Sequence, residues 1–206
     1  MKLTRGVYGI YDRASLADDA LARVDAVLQA GLVWLQYRDK RAQAPDRGLI
    51  AALGKRCRAH GTAFIINDDW RLALAVGADG VHLGQSDGDV ARARAALGDD
   101  ALIGVSCQDR IERAQAALAA GADHVSFGRF FVSSTKPDAP AADPAVLGTA
   151  RALGAPVVAI GGITADNAPR LVEAGADLLA VSSALFRAPD GVDCARRLRA
   201  LYSPPV

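Results

Sequence analysis

The sequence predicts an α/β fold, a single (β/α)₈ (TIM) barrel spanning residues 1–206 with its active site at the C-terminal ends of the strands. Eight short β-branched or apolar runs recur along the chain, separated by Ala-, Leu- and Arg-rich segments of helical spacing. Strands alternating with helices imply a parallel sheet. Four helix ends rhyme: QAGLVWLQ, AVGADGVHLG, AAGADHVSFG and EAGADLLAVS put Gly31, Gly77, Gly121 and Gly175 ahead of every second strand. The repeat marks βα units, not a solenoid. An open doubly wound sheet is the alternative, but no G-x-G-x-x-G follows the first strand.

The first run, VYGIYD (7–12), leads to the helical segment LADDALARVDAVLQAG, which stops at a glycine suited to a helix C-terminus. The second, LVWLQYRD (32–39), alternates between two faces. Trp34, Gln36, Arg38 and Lys40 share one side, and Val33, Leu35 and Tyr37 the other, a face for packing helices. AFIIND (63–68) and GVHLGQ (80–85) form the third and fourth strands, and LIGVSC (102–107) the fifth. RIERAQAALAAG is the helix before HVSFGRFF (124–131), the sixth. PVVAIGG (156–162) and LLAVSSALF (178–186) complete the set.

Composition bounds the function. With 51% hydrophobic residues the chain can bury one sizeable core. A formal net charge of +1, from 24 Lys and Arg against 23 Asp and Glu, carries no global signal for nucleic acid or an anionic membrane. MKLTRGVYGIYDR is too short and polar for a signal peptide, and no run approaches the roughly 18 apolar residues of a spanning helix. Cys57, Cys107 and Cys194 lack disulfide or zinc spacing, which fits a reducing cytoplasm. A homo-oligomer is compatible with this sequence.

The strand ends collect polarity: Asp12; Gln36, Arg38 and Lys40; Asn67 and Asp68; Gln85 and Asp87; Ser106; Gly161 and Gly162; Ser182 and Ser183. Two cations on one strand face need partners or an anion. Asp68 and Asp87 follow adjacent strands, where a hard dication such as magnesium relieves carboxylate repulsion; equally, both suit helix N-caps. FVSSTKPDAP (131–140) is long for a βα connection and reads as a polar flap or a solvated loop. AIGGITADN reads as a strand, two glycines and a helix capped by Thr164, a candidate phosphate site together with Ser182 and Ser183. His82 reads as a structural strand histidine, and Trp34, Trp70 and Tyr37 as packing residues. Arg38, Lys40, Lys136 and a magnesium ion, set against Asp68, Asp87 and a diphosphate ester of roughly three negative charges, sum close to neutral.

QYRDK, FIINDDWRLALAVGADGVHLGQSD, IGVSC, FGRFFVSSTKPDAP and PVVAIGGITADNAPRLVEAGADLLAVSSALF together resemble the thiamine-phosphate synthase family over essentially the whole chain. The resemblance implies a transferase joining a hydroxymethylpyrimidine diphosphate to a thiazole phosphate, with release of pyrophosphate. It implies that Gln36, Arg38, Lys40, Asn67, Ser106 and Lys136 hold the pyrimidine diphosphate, with Tyr37 and Asp39 of the same segment among the substrate-binding positions. Asp68 and Asp87 would bind Mg2+. Ser133, Ser134 and Thr135 of the flap, Gly162, Ser182 and Ser183 would receive the thiazole phosphate. Arg38, Lys40, Ser106 and Lys136 would be catalytic, in a dissociative mechanism that needs no side-chain nucleophile. Val132 and Ser133 stand where many members have Pro and Thr, and Asp39 where Glu is commoner. A thiazole tautomerase-like relative is the nearest rival, but it would lose the diphosphate grip that Arg38, Lys40, Asp68, Asp87 and Lys136 retain. A non-catalytic phosphate-ligand sensor is a rival of another class; without a second domain or a basic DNA-reading element, it has little support.

Overall fold

The structure, a computed structural model, describes residues 4–13, 20–40, 44–84, 89–132 and 141–202. Eight parallel strands close into a barrel in sequence order. They are β1 (Gly6–Asp12), β2 (Leu32–Arg38), β3 (Ala63–Asn67), β4 (Gly80–Leu83), β5 (Leu102–Gln108), β6 (His124–Phe127), β7 (Val157–Ile160) and β8 (Leu178–Val181). Between them lie α1 (Ala20–Gln29), α2 (Arg47–His60), α3 (Trp70–Val76), α4 (Val90–Leu97), α5 (Ile111–Ala119), α6 (Ala145–Arg151) and α7 (Pro169–Glu173); β8 is followed by α8 (Ser183–Phe186) and α9 (Gly191–Ala200). The predicted barrel and strand order hold. The sixth and eighth runs are shorter as strands than expected, because β6 stops at Phe127 and SALF is a helical turn. A continuous apolar run does not by itself separate strand from helix. Among the described residues, no helix is long and apolar enough to cross a membrane.

The rhyming helix ends have a structural cause. Asp79, Asp123 and Asp177 each grip both backbone groups of one residue on the preceding strand. Their amides donate to the carbonyls of Phe64 (2.8 Å), Ile103 (2.7 Å) and Val157 (2.8 Å). Their carboxylates accept the N–H of the same three residues, at 2.7, 2.8 and 3.1 Å. Arg94 and Arg5 pair with Asp123 and Asp177. In QAGLVWLQ the corresponding position is Val33, and there the β1–β2 register shifts: Val7 pairs with Leu32 but Tyr8 with Trp34. Two residues opposite one is a bulge. Val33 therefore packs with the barrel interior, not with Leu35 and Tyr37 as simple alternation predicts, and Leu32 joins the outer layer.

From Trp34 onward the alternation holds. Tyr8, Ile10, Trp34, Ile65, Val158, Leu178 and Ala180 fill the barrel, while Leu35, Ile66, Phe127, Leu147 and Leu171 pack between sheet and helices. Each fully buried large aliphatic side chain contributes about 1.5–3 kcal/mol. These two layers hold the C-terminal strand ends in a fixed ring.

Candidate active site

The inward face of β1 and β2 carries the first cluster. Ile10 lies beside Gln36 and Asp12 beside Arg38 in the strand register. Arg38 Nη1 donates to Asp12 Oδ2 at 2.6 Å, with the Asp12 side chain 3% exposed and that of Arg38 16%. One layer deeper, buried Gln36 donates through Nε2 to the Tyr8 hydroxyl at 2.6 Å. The Tyr8 phenol is held well above its ordinary pKa by burial, so it stays neutral. The inferred charge balance changes accordingly. Arg38 already has a buried counter-charge in Asp12, which adds one negative charge to the sum reached from sequence. Tyr37 lies on the opposite face, in the outer core, its hydroxyl directed to Asp39 Oδ2 at 3.5 Å. The alternation that brings Gln36 and Arg38 inward keeps the Tyr37 side chain away from the mouth.

The ends of β2 and β3 supply the second cluster. Lys40 Nζ lies 2.9 Å from Asp68 Oδ2, with the lysine side chain about half exposed. Asp68 follows Asn67 with φ at 64° and donates its backbone N–H to the His82 carbonyl at 2.8 Å. The capping reading of Asp68 fails, because the N-cap of α3 is Asp69, whose carboxylate accepts from Arg71 and Leu72. The cap of α4 is likewise Asp89, accepting from Ala91 and Arg92, not Asp87. With its neighbour taking the helix end, the Asp68 carboxylate is turned to Lys40. An open concavity of about 300 Å³ beside it is lined by Asp68, Asp69, Trp70 and Arg71, with the Arg71 guanidinium 4.3 Å over the Trp70 ring.

Ser106, on β5, is held from within the barrel. His82 Nε2 lies 3.0 Å from the Ser106 hydroxyl and 3.3 Å from that of buried Ser126. Burial pushes the His82 imidazole down to about 4, and burial followed by the charge of His82 holds His124 well below its ordinary value. Both rings are neutral at pH 7. His82 is thus a hydrogen-bonded structural residue, as its sequence context suggests, but its partner is a candidate site residue.

Across the mouth, β7 is followed by Gly161 and Gly162, with φ of 105° and 64°. A Cβ on Gly162 would strike the Val132 carbonyl and come within 2.9 Å of Phe131. The stem of the predicted flap runs against this turn, Phe130 and Phe131 donating their N–H groups to the carbonyls of Ile160 (3.2 Å) and Gly161 (3.1 Å). The helix expected at Thr164 starts later: α7 begins at Pro169, after Ala168. Instead Asn167 ties the turn together, accepting from Thr164 N and donating to Gly162 O, both at 2.9 Å. Gly162 therefore faces no helix N-terminus. Ser182 and Ser183 do, since they open α8, and among the described residues the buried Ser182 hydroxyl has no hydrogen-bond partner. Asp87, Ser133, Ser134, Thr135 and Lys136 lie outside the described residues.

The thiamine monophosphate synthase family model matches residues 7–185. The chain belongs to the thiamine-phosphate synthase family. It is 57% identical over 184 residues to the thiamine-phosphate synthase of Chromobacterium violaceum, covering 88% of this chain and 89% of that one. The thiamine-phosphate synthase of Azoarcus sp. (strain BH72) is 54% identical over 202 residues, 97% and 98% of the two chains. The solved thiamine phosphate pyrophosphorylase from Pyrococcus furiosus superposes with a TM-score of 0.83 at 32% identity, covering 95% of this chain and 94% of that one.

Thiamine-phosphate synthases are transferases of thiamine biosynthesis acting on small molecules, so the mouth has a function to serve. Among the described residues no three or more His, Cys, Asp or Glu side chains converge as a metal-binding group. Magnesium needs fewer, because one or two carboxylates with waters and substrate phosphates complete its shell. Asp68, an oxygen donor not engaged as a helix cap, fits that chemistry. Sequence reasoning assigned no role to Asp12, Tyr8, Ser126 or Arg71. Asp12 was legible as an inward rim residue; its pairing with Arg38 follows from register, which a single strand does not reveal.

Proposed function

We propose that the chain joins 4-amino-2-methyl-5-(diphosphooxymethyl)pyrimidine to 4-methyl-5-(2-phosphooxyethyl)thiazole, or its carboxylated form, and releases pyrophosphate to form thiamine phosphate. The observation that carries this reading is the presence of two polar groups on one barrel mouth, a charged one and a glycine- and hydroxyl-rich one. The Arg38–Asp12 and Lys40–Asp68 pairs stand on β1–β3. The Gly162 turn and Ser182-Ser183 follow β7 and β8, and β8 closes the ring by pairing with β1. Loops after the seventh and eighth strands, with a short extra helix, are a recurrent phosphate site in such barrels.

In this reading Arg38, Lys40 and Lys136 hold the diphosphate, and Gln36, Asn67 and Ser106 orient the pyrimidine. Gly162, Ser182, Ser183 and the flap residues Ser133, Ser134 and Thr135 hold the thiazole phosphate. Tyr37 and Asp39 shape the segment from behind. Asp68 and Asp87 would hold Mg2+, which supplies positive charge to the departing pyrophosphate. The carbon–oxygen bond of the diphosphate ester breaks with its electron pair leaving on pyrophosphate, and the thiazole nitrogen lone pair forms the new carbon–nitrogen bond. The residues stabilise developing charge and hold two substrates in line, without a side-chain nucleophile. Residues 1–206 act as one barrel domain in the cytoplasm. Lys136→Ala and Asp87→Ala test the assignment: each should lower turnover about 100-fold or more while leaving thermal unfolding in place. Turnover at the wild-type rate in both variants would remove the assigned site.

A further inference from the structure

Beneath Ser106 lies a polar arrangement that binding of substrate leaves unexplained. His82, Gly104 and His124 stand side by side at one level on β4, β5 and β6. All three occupy inward positions, and the two rings lie 5.6 Å apart between centroids. His124 packs against Trp34, at 4.6 Å, and both imidazoles face Tyr8, at 6.4 and 6.3 Å. A Cβ on Gly104 would collide with His124 Nε2 and come within 2.6 Å of His82 Nδ1, so both nitrogens pack over the bare face of Gly104, close to one another. Both are fully buried, and among the described residues neither has a hydrogen-bond partner; His124 Nδ1 also lacks one.

We propose that His124 is a positioning residue for Ser106: through a water bound over Gly104, it holds His82 in the tautomer whose Nε2–H donates to the Ser106 hydroxyl. A neutral imidazole has one N–H and one lone pair. Leaving a buried N–H unpaired is costly and rare. His124 meets His82 Nδ1 on its Nε2 side, so its single proton belongs there and its Nδ1 keeps the unpaired lone pair. A buried water is retained where two or more polar groups can bond it. Accepting from His124 Nε2–H, that water donates to His82 Nδ1. The His82 proton is then on Nε2, 3.0 Å from Ser106 Oγ. Ser106 accepts from below, which leaves its own O–H to donate into the mouth. Gly104 is needed because a Cβ there would strike the His124 ring and drive Nε2 away from His82.

The consequence for catalysis rests on the proposed function, but the tautomer does not. The chain has only three histidines, at 60, 82 and 124, so imidazole ¹⁵N spectra of histidine-labelled whole protein are readily assigned. Without substrates, His82 should carry its proton on Nε2. His124→Phe keeps a ring against Trp34 and Tyr8 but removes the donor, and should move a measurable fraction of the His82 proton to Nδ1. The same variant should lower kcat/KM for the pyrimidine diphosphate about two- to tenfold, the worth of one hydrogen bond. KM for the thiazole phosphate should stay unchanged, whereas general loosening of the barrel would move both. His124→Gln, whose amide can donate to the same water, should recover part of the loss. A wild-type His82 protonated on Nδ1, or a His124→Phe variant with an unchanged His82 tautomer, would overturn the proposal. The expected tautomers in a protein that does not couple the two substrates would support the histidine arrangement and remove the substrate assignment instead.

Discussion

Lowering the pH from 7.5 to 5 should destabilise the barrel through its buried imidazoles. The folded His82 pKa is about 4, against an ordinary value of 6.5, because the ring is fully buried. Between those two values the unfolded chain binds a proton that the folded chain refuses. Stability therefore falls as pH falls, by about 1.4 kcal/mol per pH unit for each such group. From pH 7.5 to 5 the loss through His82 is about 2 kcal/mol, and the full effect, complete below pH 4, is about 3 kcal/mol. His124 is shifted in the same direction by burial and by His82, and steepens the slope toward two protons. That is a large part of the about 5–15 kcal/mol that holds a domain folded. Urea unfolding at half-unit pH intervals reads the slope directly. A His82→Gln, His124→Phe double variant should be less sensitive to acid over the same interval, whatever its stability at pH 7.5. Equal stability of the wild type at pH 7.5 and 5, or an equally steep decline in the double variant, would refute the reasoning.

Three further perturbations follow from the geometry. Asp12→Ala leaves Arg38 largely buried without its counter-charge, and should cost about 3 kcal/mol in urea unfolding and at least about tenfold in kcat/KM for the pyrimidine diphosphate; a change confined to the thiazole phosphate would contradict the assignment of β1–β2. Asp177→Ala removes the acceptor for the buried Val157 N–H and should lower stability by about 1–3 kcal/mol in the same assay, with KM for both substrates unchanged. Gly162→Ala must place a Cβ at φ 64° against Phe131 and the Val132 carbonyl, and should cost about 1–3 kcal/mol and raise KM for the thiazole phosphate most.

What could be read from the sequence was whatever follows from periodicity. Eight apolar runs, the helices between them and the polar strand ends led to a closed eight-stranded barrel, and the alternation of Trp34, Gln36 and Arg38 placed all three inward. What escaped depends on register between strands, or on helix boundaries one or two residues away. Asp12 meets Arg38 because β1 and β2 pair with a bulge between Val7 and Tyr8, and that bulge also turns Val33 inward. Asp69 and Asp89, not Asp68 and Asp87, start α3 and α4, a shift of one and two residues that leaves the Asp68 carboxylate to pair with Lys40. SSALF is apolar enough for a strand but closes as a helical turn after β8, where Ser182 and Ser183 gain their place. His82 sits in GVHLGQ without a role read from it, and the pairing of β4 with β5 brings it to Ser106.

The most direct test of the central claim is pyrophosphate release from the pyrimidine diphosphate and the thiazole phosphate, measured with magnesium and again with excess chelator. The account predicts magnesium-dependent release matched mole for mole by thiamine phosphate. No coupling by the folded protein, beside an active control enzyme, would contradict it.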